Sequence, residues 1–164
     1  MSEQGHTRVG ISCGDLNGIG LEVVLKTFQD NRMLADITPI VYASAKVLSF
    51  HRKAVKLEEV QFHRVNDARD AVPRKLNLVN LWEEDVPIEL GKQSGKLASY
   101  AIRSLEAATQ DLGSGKVDVL VTAPIDKNSM QAAGFQFPGH TEYLAHVAGH
   151  EAQPLMILLG DGLR

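Results

Sequence analysis

Between Arg8 and Phe28 the apolar period of the chain changes from that of a strand to that of a helix, with a glycine-rich turn between them. Arg8 to Ser12 is a short β-branched run, followed by Gly14-Asp15-Leu16-Asn17-Gly18-Ile19-Gly20. Leu21, Val24, Leu25 and Phe28 then recur at helical spacing, with Glu22, Lys26 and Gln29 at polar positions. Strand, glycine turn, helix is the unit from which α/β layers are built around a mainly parallel sheet.

The alternation continues along the chain. Thr38 to Tyr42 reads as a strand and Ala45 to Ala54 as a helix, with Val47 and Leu48 toward the core and His51 a candidate for the same face. Short strands are expected at Val60–Val65 and Leu76–Trp82. Pro87 to Gln93 is a loop. A long helix over Ser94–Leu112 carries Leu97, Ala101, Leu105 and Ala108 on one face, and Gly113 and Gly115 end it. Val117–Thr122 is nearly all apolar and predicts a buried parallel strand. A short helix over Asp126–Ala133, a loop to Gly139, a helix over Thr141–Ala148 and a second buried strand at Leu155–Leu159 complete the pattern. That strand runs into Gly160-Asp161-Gly162, a tight-hairpin signal, two residues before Arg164. Half a hairpin reads as the N-terminal portion of a longer fold, and a frayed tail is the alternative. The expected division is 1–130 for the first part of one α/β domain and 131–164 for the incomplete start of a second.

Composition narrows the partners. Of 164 residues, 44% are hydrophobic and 23% charged, which suits a packed core. A net charge of -3, with Lys and Arg scattered singly, gives no reason to expect nucleic acid or an anionic membrane as partner. Cys13 is the only cysteine, so no internal disulfide forms, and a reducing, cytoplasmic setting is the simplest reading. No apolar run nears the roughly 18 residues of a membrane span.

Several segments could carry chemistry. The first glycine turn follows a strand and opens a helix, where backbone N–H groups can face an anion. Gly14, Gly18 and Gly20 match neither the dinucleotide nor the triphosphate glycine pattern, so a plain strand-to-helix turn stays open beside an anion cradle. Cys13 has no base beside it in sequence and reads more simply as a buried thiol. Gly91-Lys92-Gln93-Ser94 and Gly113-Ser114-Gly115-Lys116 read as a helix entrance and a helix exit. Thr122-Ala123-Pro124-Ile125-Asp126-Lys127 lies at the carboxyl end of a strand, where open α/β sheets bind ligands. Thr122 and Lys127 could touch a ligand there, and Asp126 could cap the next helix. In Phe137-Pro138-Gly139-His140-Thr141-Glu142, His140 and Thr141 could grip a phosphate or hydroxyl at a helix start, or merely cap it. His146 and His150 stand four apart, but Gly149 between them breaks a common metal-binding face. His6, His51 and His63 are isolated and read as surface or helix-face positions.

Taken together and in this order, three of these segments resemble the 4-hydroxythreonine-4-phosphate dehydrogenase family. They are Gly14 through Gly20, Thr122 through Lys127, and Gly139-His140-Thr141-Glu142, and the stretch from Gly91-Lys92 to Ser104-Leu105 is similar too. One departure is Leu16-Asn17, where many members carry Pro-Ala. The resemblance implies an isocitrate/isopropylmalate dehydrogenase-like fold, truncated here. It implies NAD-dependent oxidation of 4-hydroxy-L-threonine phosphate in pyridoxal phosphate biosynthesis, with NADP as the other possible cofactor. It also implies a homodimer, and a divalent metal held by three histidines from both subunits. His140 and Thr141 match the family's substrate-binding pair, while Asp15 and Lys127 are weaker cleft candidates. None of the six histidines matches a metal ligand, so the chain alone is expected to be inactive. Two rivals remain: a non-catalytic phosphometabolite-binding module or one chain of a split enzyme, and an unrelated nucleotide-binding α/β domain.

Overall fold

The computed structural model describes residues 6–149 and 153–160. Five strands form one parallel sheet: β1 (Thr7–Ser12), β2 (Ile37–Ala43), β3 (Phe62–Val65), β4 (Leu76–Asn80) and β5 (Val119–Thr122), in the order β3-β4-β2-β1-β5. The helices are α1 (Gly20–Gln29), α2 (Ala45–Ala54), α3 (Gly95–Gly113), α4 (Lys127–Ala132) and α5 (His140–Ala148). The α/β alternation expected from the sequence is therefore present, and the element boundaries move by a few residues at most.

Side-chain alternation along each strand divides the core between two layers. Val9 and Ile11 of β1 and Val41 of β2 pack with Leu21, Val24, Leu25 and Phe28 of α1 and Val47 and Leu48 of α2. Ile40 and Tyr42, on the other face of β2, pack with Ala108 of α3 and with Val117. Ala101 and Leu105 of α3 continue into a cluster with Met130 of α4, Phe135, and Tyr143 of α5. Ser104 fastens α3 to the carboxyl ends of the central strands: its hydroxyl accepts from Cys13 N at 2.9 Å and donates to the Tyr42 carbonyl at 2.5 Å. This hydroxyl is fully buried, so it suits α3 only because both of its bonds are made.

Two expectations are corrected. β5 is not buried on both faces. It is an edge strand among the described residues, with Val119 44% and Val121 50% exposed. Leu120 faces the α3 layer, but no described helix covers the side of β5 that carries the two valines. An apolar groove lined by Val23, Met33 and Val121 results. Leu155–Leu159 forms no strand, and its side chains are 67–89% exposed. A strand needs a neighbour for its backbone groups and a layer for its side chains, and among the described residues no layer covers this segment. The hairpin expected at Asp161-Gly162 lies outside the described residues, as does His150.

Gly14 is the tightest point of the backbone. Its φ is +66°, and a Cβ placed there would stand 2.3 Å from the Pro124 carbonyl oxygen. Gly91 also has positive φ, at +80°, but open space surrounds it. Gly14→Ala is therefore expected to cost about 2 kcal/mol or more, and Gly91→Ala about 1 kcal/mol, the left-handed penalty alone. Urea unfolding followed by fluorescence of the buried Trp82 measures both. Equal losses would show that the approach of Gly14 to Pro124 is not tight.

Candidate functional site

The strand order places β2 on one side of β1 and β5 on the other. The connections leaving the carboxyl ends of β1 and β5 diverge: α1 lies in the layer with α2, and α4 packs on α3. In parallel α/β sheets such a switch point is where ligands bind. The Gly14–Gly20 turn and the Thr122–Lys127 segment meet at this point. Asp15 N donates to the Pro124 carbonyl at 2.9 Å, and a Cβ on Gly20 would lie 2.9 Å from the Cys13 carbonyl oxygen and 3.0 Å from the Ala123 Cβ.

Inside the glycine turn the polar groups are occupied. An oxygen of the Asp15 carboxylate accepts from Asn17 N at 3.0 Å, and the Asp15 carbonyl accepts from Gly18 N at 3.1 Å. His51 of α2 donates from Nε2 to the Leu16 carbonyl at 2.9 Å. His51 is fully buried, so it is a support of the turn rather than a surface position, and burial lowers its pKa. Cys13 is fully buried as well, and burial pushes its thiol up to about 12. The thiol therefore stays protonated near neutrality and cannot act as a nucleophile.

Lys127 opens α4, and Asp126 caps that helix by accepting from Ser129 N at 2.7 Å. The Lys127 side chain extends toward the start of α5. Its Cε and Nζ lie 3.5 and 3.8 Å from where a Gly139 Cβ would be, and Glu142 Oε2 lies 3.4 Å from the same point. His140, half-buried, has its pKa lowered, first by burial and second by the Lys127 charge. Thr141 follows it on the first turn of α5 and is half-buried. No side chain caps α5, whose N-cap is Gly139, and none caps α1, whereas Ser44, Ser94 and Asp126 cap α2, α3 and α4. The first N–H groups of α5 thus have no side-chain cap beside a cation and a neutral imidazole.

The structure brings Lys127 and His140 together, with Thr141 adjacent in sequence. Asp15 lines a tight cleft with Asp126, Ala98, Ala101, Ser129 and Met130 that has no room for a water molecule. Asn17, which in the sequence stands out only as part of the Leu16-Asn17 departure, anchors the turn to a distant loop. It is 3% exposed, and its carboxamide bonds to two backbone groups of residues 89–92. Gly91 through Ser94 is indeed a helix entrance, with Ser94 capping α3, and Gly115, at φ +71°, ends it. The His146 ring lies against Phe137, tilted by 45° with ring centroids 5.1 Å apart. A depression of about 470 Å³ lies at the amino end of the sheet, lined in part by Phe62, His63 and Arg74. Of the candidate residues only His63 falls there, and it is the wrong end of a parallel sheet for a ligand. Among the described residues no three His, Cys, Asp or Glu side chains come together as a metal site.

These features define an open parallel α/β protein in which the Gly14–Gly20 and Thr122–Lys127 segments meet at the carboxyl ends of neighbouring strands. The sequence profile described as pyridoxal phosphate biosynthetic protein PdxA matches residues 35–164. The chain is 42% identical over 162 residues to a 4-hydroxythreonine-4-phosphate dehydrogenase of Bacteroides thetaiotaomicron, covering 99% of this chain and 44% of that protein. It is 30% identical over 154 residues to a D-threonate 4-phosphate dehydrogenase of Cupriavidus necator, covering 92% and 45%. The crystal structure of a 4-hydroxythreonine-4-phosphate dehydrogenase from Burkholderia phymatum superposes with a TM-score of 0.80 at 31% identity, over 91% of this chain and 46% of that one. The chain belongs to the PdxA family, and its fold is of the isocitrate/isopropylmalate dehydrogenase-like α/β kind. It spans a little under half the length of the curated relatives it matches.

The lowered pKa of His140 gives a direct check. Its folded value lies below the unfolded one, so the unfolded chain takes up a proton first and stability falls as pH drops through the ordinary histidine range. NMR titration is expected to place the His140 midpoint below 6.5. In Lys127→Met the midpoint should rise only part of the way, because burial is the larger cause. A midpoint unmoved by Lys127→Met would show that the ammonium does not reach His140.

Proposed function

We propose that this chain forms the substrate-holding face of an NAD-dependent, metal-assisted dehydrogenase acting on 4-hydroxy-L-threonine phosphate. The observation that carries the reading is the pairing of Lys127 with His140 at the start of α5, a helix without a side-chain cap. A phosphate there meets the Lys127 ammonium and the free N–H groups of the first turn. The Thr141 hydroxyl and the neutral His140 imidazole can each donate to a phosphate or hydroxyl oxygen. Burial keeps His140 neutral near pH 7, so it holds the ligand by hydrogen bonding while Lys127 supplies the charge.

A divalent cation, where the family uses one, would act as a Lewis acid on the reacting alcohol. The described residues offer no ligand set for it, and the glycine turn lacks the dinucleotide spacing, so the chemistry of hydride transfer is not assigned to this chain's residues. Assembly as a homodimer in the cytoplasm accompanies this reading. The 164 residues by themselves bind the phosphorylated substrate but do not oxidise it.

The two substrate names among the relatives set the test. Calorimetry on the 164-residue chain should show binding of 4-hydroxy-L-threonine phosphate, weaker binding of D-threonate 4-phosphate, and a loss of about tenfold in Lys127→Met or His140→Ala, comparable to a charged hydrogen bond. With NAD and a divalent cation added, no NADH should form. Oxidation at an ordinary enzymatic rate would overturn the assignment of chemistry outside these residues. Tighter binding of D-threonate 4-phosphate would move the substrate to that compound.

A further inference from the structure

We infer that Asn17 is a positioning residue for this site: it latches residues 89–92 onto the glycine turn, and through Gln93 and Asp126 it sets where α4 begins and where Lys127 stands. The inference rests on the substrate-holding reading of Lys127 and His140.

Three hydrogen bonds join Asn17 to residues 89–92. Its Nδ2 donates to the Lys92 carbonyl at 2.8 Å, its Oδ1 accepts from Glu89 N at 2.8 Å, and its own carbonyl accepts from Gly91 N at 2.8 Å. Both ends of the carboxamide are used, and the side chain is withdrawn from water. The 86–93 segment has no regular structure, Leu90 on it is exposed, and Gly91 has no atom within 4 Å of a would-be Cβ. Val86 and Ile88 pack partly against the α1–α2 core, but Glu89 to Lys92 are exposed and have no such packing, so the place of that shorter stretch depends on polar bonds. The turn that carries Asn17 is itself fixed, by His51 at the Leu16 carbonyl and by Pro124 at Asp15 N.

The segment then reaches the second wall of the site. Gln93 donates from Nε2 to one carboxylate oxygen of Asp126 at 3.1 Å, and the other oxygen of Asp126 caps Ser129 N. Hydrogen bonds from Ser129 and Gln93 hold the Asp126 carboxyl below its ordinary range, so it stays ionised in both roles. Lys127 is the next residue. A continuous path of hydrogen bonds and chain therefore runs from Asn17 to the cation beside His140. Alanine at this place could make neither side-chain bond. Aspartate could accept from Glu89 N but could not donate to the Lys92 carbonyl.

The test uses the 164-residue chain with Asn17→Ala and Asn17→Asp, read by amide exchange and by NMR titration of His140. Asn17→Ala should speed exchange at Glu89 by about tenfold or more, the loss of one made hydrogen bond, while Ala101 and Leu105 of α3 keep their protection. The His140 midpoint should rise as Lys127 loses its fixed place. Asn17→Asp should keep Glu89 protected and shift His140 less. Unchanged exchange at Glu89 in Asn17→Ala would remove the latch. Fast exchange with an unmoved His140 midpoint would leave a latch that positions nothing, and would overturn the inference. Neither readout needs a ligand, so a chain that fails to bind the phosphorylated substrate would refute the proposed function and still leave the latch to be judged.

Discussion

The site depends on one backbone contact, the hydrogen bond from Asp15 N to the Pro124 carbonyl. It joins the turn after β1 to the turn after β5, two strands that are neighbours in space and 110 residues apart along the chain at Val9 and Val119. The contact is close because Gly14 adopts φ +66° and has no Cβ to meet the Pro124 oxygen. Any other residue there is strained twice, once by its own backbone and once by the collision. Gly20, pressed against Cys13 and Ala123, lets α1 leave the sheet at the same narrow place.

From that contact outward, polar groups divide into those that build the site and those that face a ligand. Asp15, Asn17, His51, Gln93 and Asp126 are bound to other groups of the chain. Their bonds fix three segments relative to one another without loose loops. Lys127 and His140, with the first turn of α5, are the groups left to meet an anion. An incoming anion there meets the Lys127 cation and the half-buried His140, whose pKa is lowered, with the Glu142 carboxylate on the same spot.

The alternation of strands and helices was legible from period alone, because each helix buries one stripe and each central strand is held in the sheet. The α1 stripe of Leu21, Val24, Leu25 and Phe28 is buried as its spacing predicts. The two failures share a cause. Val119, Val121 and Leu155–Leu159 are as apolar as any core strand, but sequence carries no record of which layer covers them. His140 and Thr141 were legible as a helix start, while their link to Lys127 was not, since it depends on how α4 and α5 pack on α3. Asn17 was hidden for a different reason. Its partners lie 72 and 75 residues away, on backbone groups that have no signature in sequence.

The most direct measurement is to locate the bound ligand. Amide chemical shifts of the 164-residue chain, followed during titration with 4-hydroxy-L-threonine phosphate, report which backbone groups meet it. The predicted result is a set of saturable changes at His140, Thr141, Glu142 and Lys127, with the amides of β3 and β4 unmoved. Changes confined to Phe62, His63 and Arg74 at the amino end of the sheet would contradict the placement of the site, as would the absence of any saturable change.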